Sequence, residues 1–124
     1  MCAKSTREKG AGSEDLARSY LQRQGYRIMD TNFRIRTGEI DIIAMDNDTI
    51  VFIEVKSAAS KNFGDPASWV PVWKQNRIIR VSQAYLMRKN LYNSPARFDV
   101  LAIDTSQGVN HVKDAFRPGP GIFV

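Results

Sequence analysis

The stretch that decides the fold covers residues 38–57 and reads GEIDIIAMDNDTIVFIEVKS. It contains two runs rich in Ile, Val and Phe, over 39–45 and 49–57, and a polar turn at 46–48 separates them. Apolar, β-branched runs joined by a short Asp/Asn turn are typical of a β-hairpin. Both faces of the second run are largely apolar, so the sequence predicts a central strand that helices cover on both sides.

The residues on either side of the hairpin predict the rest of a small α/β domain. A capping box at Ser5 to Glu8 begins the first helix, and Gly25 is a left-handed stop just beyond its end. Pro71 suits the first turn of a second, long helix. The first strand is rather polar and is expected at an edge of the sheet. The predicted order is a helix over 5–24, strands over 26–35, 39–45 and 49–57, a helix over 71–90, and strands over 97–104 and 109–116.

One domain is expected to account for residues 1–124. A chain of 124 residues with 43% hydrophobic and 25% charged composition fits one globular domain with a modest core. Residues 1–6 and 118–124 are predicted to be loose tails. The small, polar segment 58–68 contains Gly64 and Pro66 and is predicted to be a mobile loop.

Several classes of protein are excluded by what the chain lacks. No stretch approaches the roughly 18 consecutive apolar residues of a membrane span, and the polar, charged N-terminus is unlike a signal peptide. Cys2 is the single cysteine and His111 the single histidine, which excludes an internal disulfide, a zinc cluster and a multi-histidine metal site. We expect a cytoplasmic protein without a membrane partner, in which His111 is structural.

The charges are unevenly distributed along the chain. The net charge is +5, yet residues 39–54 contain five acidic and no basic residues. Residues 66–98 show the opposite bias, with six Lys and Arg and no acidic residue. A basic protein with one concentrated acidic stretch has the pattern of a phosphate-binding surface around a cation site.

The candidate chemistry lies on the hairpin. Glu54 and Lys56 emerge on the same face of the second strand, and Asp41 is placed on the facing strand to meet them. Charge is costly among Val and Phe neighbours, and a divalent cation held by Asp41 and Glu54 would offset that cost. Mg²⁺ or Mn²⁺ suits such an all-oxygen site, with Lys56 orienting the nucleophile or stabilising the transition state. The alternative is a solvated edge strand on which Asp41 forms an ordinary cross-strand ion pair.

Two further charges point partly toward the sheet. Lys74 shares a helical stripe with the apolar Ile78 and Val81, and Glu14 borders the apolar arc of the first helix. Inward charges need partners, so both are candidates for the site. The alternatives are that Lys74 extends its ammonium to solvent and that Glu14 simply borders the core.

The long helix also carries candidates for nucleic-acid binding. Arg77, Arg80 and Arg88 share a neighbouring stripe, which is either a phosphate-contacting face or a solvated helix surface. Trp69 and Trp73, at the start of this helix, either stack on bases or fill the core. The candidate nucleic-acid-binding residues are Arg77 and Arg80 on the helix and Arg34 and Arg36 in the loop before Gly38.

The hairpin motifs resemble a known signature. Residues 38–41 (GEID) followed by 51–56 (VFIEVK) resemble the PD-(D/E)XK nuclease signature. More closely, the chain resembles the YraN family, small bacterial proteins predicted to be endonucleases. The likeness spans nearly the whole chain and takes in GSEDLA (12–17), GY (25–26), NFR (32–34), FG (63–64), KQ (74–75), RI (77–78) and RFDV (97–100).

This resemblance implies a restriction-endonuclease-like core, with a mixed sheet of about five strands flanked by helices. It implies that Asp41 and Glu54 are metal ligands and that Lys56 is the catalytic lysine. Glu14 would correspond to the additional acidic residue that related junction-resolving nucleases bring to the metal from the first helix. Glu39 would be a supporting acid.

Two departures from the family pattern accompany this likeness. Ile40 stands where the name of the superfamily puts a proline, which is routine. Ser57 and Ala58 replace the usual polar-basic pair after the lysine. The second departure would weaken substrate contacts without touching the metal site.

The sequence therefore predicts a Mg²⁺- or Mn²⁺-dependent phosphodiesterase that acts on nucleic acid, DNA rather than RNA, with branched and single-stranded substrates included. The leading alternative is a protein on the same fold that binds nucleic acid in DNA repair or uptake without cutting it. A third is a protein-interaction adaptor in which the hairpin is only structural. A homodimer is a further expectation, because cutting both strands of a duplex or junction needs two sites.

Overall fold

The structure is a computed structural model that describes residues 2–57, 69–104 and 108–119, with side chains from Gly12 onward. Five strands form one mixed sheet in the order β1-β2-β3-β4-β5. The predicted order α-β-β-β-α-β-β is confirmed. The elements are α1 (Cys2–Arg23), β1 (Arg27–Ile35), β2 (Gly38–Asp46), β3 (Thr49–Ser57), α2 (Val72–Arg88), β4 (Ala96–Asp104) and β5 (Gly108–Phe116).

The strand directions explain where α2 must lie. Strand β2 is antiparallel to both β1 and β3, and β5 is antiparallel to β4. Strands β3 and β4 are parallel. Parallel neighbours cannot be joined by a tight turn, so the chain crosses one face of the sheet through α2 before it returns as β4. Strand β3 is central and β1 lies at an edge, both as predicted.

The helix ends differ slightly from the sequence-based boundaries. Helix α1 begins at Cys2, before the expected capping box, and the Ala, Lys, Arg and Glu residues over 3–9 favour this extension. Gly25 has a φ of 92°, so it provides the predicted left-handed stop. Pro71 is the N-cap of α2, immediately before its first turn. The predicted loop 58–68 lies outside the described residues, and neither described helix is long and apolar enough to cross a membrane.

Helices cover both faces of the sheet, as the two apolar faces of β3 predicted. Alternate side chains of β3 point to opposite faces, so each face receives its own cluster of buried residues. The core beneath α1 contains Ala17, Leu21, Ile42, Ala44, Val51 and Ile53. The core beneath α2 contains Ile40, Ile43, Ile50, Phe52, Ile78, Val81 and Tyr85.

The alternation of β2 is interrupted at Asp41. Ile40 packs beneath α2 and Ile42 packs beneath α1, although residues two apart in a regular strand share a face. On the neighbouring strand the interruption falls at Asn32, whose φ of 54° is left-handed. Asparagine tolerates this conformation better than most residues. The local irregularity of both strands therefore sets the direction in which Asp41 leaves the sheet.

A buried polar network joins β4 to β5. The Asp99 carboxylate has 0% exposure and pairs with Arg97 Nε at 3.0 Å and His111 Nε2 at 2.7 Å. The backbone N–H of Asp114 donates to the same carboxylate at 2.9 Å. Burial alone would raise the pKa of Asp99, but the hydrogen bonds from His111, Arg97 and Asp114 outweigh it and lower that pKa. His111 also lies 3.1 Å from the Tyr20 hydroxyl, in agreement with the structural role expected of it.

Candidate active site

A cavity of about 410 Å³ opens where β2 and β3 meet the first turns of α2. We call it the carboxylate cavity. The carboxylate cavity is lined by seven of the residues that the sequence analysis singled out, because the β1–β2 turn, the β2–β3 hairpin and α2 converge there. The lining residues are Arg34, Ile35, Arg36, Thr37, Gly38, Glu39, Asp41, Glu54, Lys74, Arg77 and Ile78.

Glu54 is the buried charge of this cavity. Its side chain is 7% exposed and lies 2.6 Å from the Lys74 ammonium, measured from Oε2 to Nζ. A buried carboxylate without a partner would be strongly destabilising. The partner that the sequence analysis expected for Lys74 on the sheet is therefore Glu54, and the ammonium reaches it from α2.

Asp41 lies beside Glu54 at the end of the hairpin ladder. The paired register of β2 and β3 runs as far as Ile42 and Ile53, and Asp41 and Glu54 are the next residues on each side. The backbone N–H of Val55 donates to Asp41 Oδ2 at 2.8 Å. A site carboxylate thus takes the place of a backbone acceptor and holds the end of β3.

The electrostatics of the cavity favour the neutral form of Asp41. Burial raises the pKa of Asp41 to about 7, and the negative charge of Glu54 acts in the same direction. The Val55 hydrogen bond opposes this rise, while the charges of Glu14 and Glu39 add to it. Burial and the neighbouring carboxylates therefore make a negative charge on Asp41 costly in the ligand-free cavity.

Glu14 and Glu39 make contacts of their own. Glu14 accepts a hydrogen bond from Asn32 Nδ2 at 3.0 Å, and it does not line the cavity. Glu39 lines the cavity and pairs with Arg34 at 3.2 Å. Among the residues described, no three His, Cys, Asp or Glu side chains are grouped so as to hold a metal ion. The carboxylates that converge are therefore Asp41 and Glu54.

Lys56 forms no ion pair with either of these carboxylates in the part of the chain that the structure describes. It is half-buried, it does not line the carboxylate cavity, and it forms no ion pair with any residue in the described ranges. The ammonium that contacts a cavity carboxylate belongs to Lys74 instead. The sequence analysis named Lys56 as the catalytic lysine and Lys74 only as an additional candidate, because the approach of α2 to the sheet is a tertiary feature.

A second cavity, of about 540 Å³, adjoins the first. We call it the tryptophan groove. Trp73 is 61% exposed there and does not fill the core, whereas Trp69 packs against the core beneath α2. Arg88 is not part of the groove and lies over the Phe33 ring at 5.6 Å. The groove is lined by Arg36, Thr37, Trp73, Asn76, Arg77 and Arg80.

Gly38 is a functional position that the search for charged residues did not single out. A Cβ at this position would lie 2.7 Å from Arg77 Cγ and 3.2 Å from a Val81 methyl group. Only glycine therefore lets α2 pack so closely against the start of β2. The close approach places Arg77 on the walls of both cavities. The glycine at the head of the GEID motif is the signal that indicates such an approach.

The chain is similar to proteins from several bacteria. The family model described as "Uncharacterised protein family UPF0102" matches residues 13–103, in agreement with the YraN-like resemblance. A UPF0102 protein of Clostridium perfringens (strain 13 / Type A) is 48% identical over 113 residues, covering 87% of this chain and 93% of that protein. One from Alkaliphilus oremlandii (strain OhILAs) is 48% identical, covering 86% and 96%. One from Geobacter sulfurreducens is 43% identical, covering 86% and 87%.

Among solved structures, the chain has a distant likeness to SfsA of Pyrococcus furiosus in complex with Ca²⁺. The TM-score is 0.35 and the sequence identity is 17%. The match covers 87% of this chain and 63% of that one, so the chain spans less than two thirds of that protein.

Proposed function

The chain belongs to the uncharacterised protein family UPF0102, and because that name assigns no activity we propose a function from the site itself: a divalent-metal-dependent endonuclease that hydrolyses phosphodiester bonds in nucleic acid. The observation that carries the proposal is the meeting of Asp41 and Glu54 in one cavity whose rim is arginine-rich. The mixed sheet, with its acidic pair on a central hairpin, agrees with a restriction-endonuclease-like core.

The donor set of the cavity fits Mg²⁺ or Mn²⁺. Asp41 and Glu54 supply carboxylate oxygens, and Mg²⁺ is commonly held by one or two carboxylates together with waters and substrate phosphates. Burial and the charge of Glu54 raise the pKa of Asp41, and a bound dication would favour the carboxylate form of this residue. Such an ion supplies a water of lowered pKa and polarises a phosphoryl oxygen.

The residues of the chain then have distinct tasks. Arg34, Arg36 and Arg77 line the cavity and would hold the phosphates of the substrate through charge-assisted hydrogen bonds. Lys74 neutralises Glu54 when the protein is free of ligand, at a distance of 2.6 Å. A metal ion held by Glu54 would share this carboxylate with the Lys74 ammonium or replace it there, and Lys74 would then be available to bind the phosphate.

A second candidate function is binding of nucleic acid without cleavage. The observations that favour it are the ion pair between Lys74 and Glu54 and the position of Lys56, which does not line the cavity. In this case the arginines would still bind phosphate, and the carboxylates would serve only the structure.

Cleavage by the Asp41→Asn variant tests the proposal. Wild type, Asp41→Asn and Glu54→Gln are incubated with Mg²⁺ or Mn²⁺ and with branched, single-stranded and duplex DNA. Asp48→Asn is the matched control, since Asp48 is exposed in the β2–β3 turn and the change removes the same charge. Loss of a metal ligand is expected to reduce cleavage by at least a hundredfold.

The outcomes separate the two functions. Cleavage that depends on metal, on Asp41 and on Glu54 but not on Asp48 supports the endonuclease. Undiminished cleavage by folded Asp41→Asn would refute the proposed site. Salt-sensitive binding of DNA by wild type, with no metal-dependent cleavage of any substrate, would favour the binding protein.

A further inference from the structure

The tryptophan groove presents an unusual surface beside the carboxylate cavity. Trp73 lies in the first turn of α2, and 61% of the residue is exposed to solvent. An indole so exposed loses the favourable burial of a large apolar surface. A ligand that covers the indole would restore this burial.

The surroundings of Trp73 are cationic. The Arg77 guanidinium lies over the indole ring, 5.2 Å from its centroid, in a cation–π contact, and the residue stays 61% exposed. Arg36 and Arg80 line the same groove, and both are exposed. No acidic side chain of the described residues lines it. The groove therefore offers one flat aromatic face bordered by positive charge.

We propose that the tryptophan groove binds an unpaired base of a single-stranded nucleic acid, with the base stacked on Trp73 and the adjoining phosphates on Arg36 and Arg80. This inference rests on the proposed function and names the form of the substrate. Every base has a π-face that can stack, and cations beside an aromatic platform follow the backbone. A continuous duplex hides those faces, so the occupant is an unpaired nucleotide.

The two cavities are neighbours that share three lining residues. Arg36, Thr37 and Arg77 line both the tryptophan groove and the carboxylate cavity. A strand anchored at Trp73 would thus pass directly along Arg77 toward Asp41 and Glu54. The groove, at about 540 Å³, has the size of an ordinary small-ligand pocket, which is adequate for one nucleotide. The substrate implied is a single strand, a flap or a junction with unpaired bases at the site.

Binding in EDTA tests this inference apart from catalysis. Anisotropy of a labelled single strand is measured with wild type and Trp73→Leu, and again with a strand of equal length that contains abasic sites. Loss of one stacked base is expected to weaken binding of the base-bearing strand by about 5- to 150-fold. Binding of the abasic strand should change little, because its phosphates remain.

Two control variants accompany the test. Tyr92→Leu removes a comparably exposed aromatic residue, at 60%, which does not line the groove, and it should leave both affinities unchanged. Trp73→Phe keeps a ring and should retain most of the affinity. Circular dichroism checks the fold of each variant.

The inference is overturned if Trp73→Leu binds the base-bearing strand as wild type does, or loses affinity equally for both strands. Wild type alone gives an independent answer, since equal affinity for the base-bearing and abasic strands would exclude stacking whether or not the variant folds. An acidic peptide that binds as tightly as the base-bearing strand would also overturn it. Asp41→Asn should keep the Trp73-dependent binding. The binding assay therefore tests the stacking of a base on Trp73 even if the protein does not cleave nucleic acid.

Discussion

Replacement of Lys74 by Met should destabilise the protein, and a divalent metal should restore the loss. The change leaves Glu54 as a carboxylate that is 7% exposed and has lost its ion-pair partner at 2.6 Å. Breaking a buried pair costs about 3–5 kcal/mol. Because Lys74 is itself 35% exposed, screening by solvent reduces the expected loss to about 2 kcal/mol.

Thermal melting in EDTA measures this loss. A change of 2 kcal/mol corresponds to a fall in Tm of roughly 8 °C for a domain of this size. Addition of Mn²⁺ should raise the Tm of Lys74→Met more than that of wild type, because in the variant the ion faces no competing ammonium at Glu54. The double variant Lys74→Met, Glu54→Gln should melt above Lys74→Met, since both charges are then removed.

The matched control is Lys113→Met on β5, where the lysine is exposed. This variant should melt within about 1 °C of wild type, since surface substitutions are usually small in effect. An equal fall in Tm for the two single variants would contradict the reasoning, and so would a double variant less stable than Lys74→Met. A Mn²⁺ effect that is the same in wild type and in Lys74→Met would show that Lys74 does not compete with the ion.

Two further predictions concern the scaffold of the site. The lowered pKa of Asp99 means that its contribution to stability is present above the ordinary value of 3.8 and is lost as the pH falls through the lower, folded-state value. Between pH 7 and pH 2 the Tm of wild type should therefore fall more steeply than the Tm of Asp99→Asn. Parallel plots of Tm against pH for the two proteins would contradict the role of the His111 and Arg97 contacts. Gly38→Ala should displace the Arg77 stem, which a Cβ would approach to 2.7 Å, and weaken single-strand binding severalfold in the same anisotropy assay. Unchanged binding by folded Gly38→Ala would contradict the role of Arg77 in anchoring the strand.

The hairpin was predictable because its pattern is local. Ile, Val and Phe on both faces of β3 require cover on both sides, and the structure places one core beneath each helix. Gly25 likewise carries its own signal, since a glycine after a helical stripe favours the left-handed stop. Patterns of this kind depend on the chain immediately around them and not on its distant parts.

The interruption at Asp41 was not predictable in the same way. A count by alternation assumes a regular strand, whereas Ile40 and Ile42 point to opposite cores. The interruption depends on pairing with β1, where Asn32 adopts a left-handed conformation. Pairing of the two hairpin strands predicted that Asp41 meets Glu54, but it did not predict the hydrogen bond from Val55 to Asp41.

Contacts made by α2 also lay beyond sequence reasoning. The helical stripe indicated that Lys74 points inward, and the packing of α2 on the hairpin decides that it pairs with Glu54. Trp69 and Trp73 begin the same region, yet one packs on the core and the other is exposed. The sequence offered both outcomes for each tryptophan, and the docking of the helix separates them.

The hydrogen bond between Val55 N–H and Asp41 Oδ2 bears on how sequences of this family are compared. Under the proposed function, a relative without nuclease activity would still need an acceptor at position 41, because an unsatisfied backbone N–H costs about 1–3 kcal/mol. Selection for folding alone would thus retain Asp, or admit Asn, at this position. A preserved Asp41 marks an intact hairpin, and the informative position for loss of activity is Glu54, whose carboxylate and Lys74 partner can be replaced together by an uncharged pair.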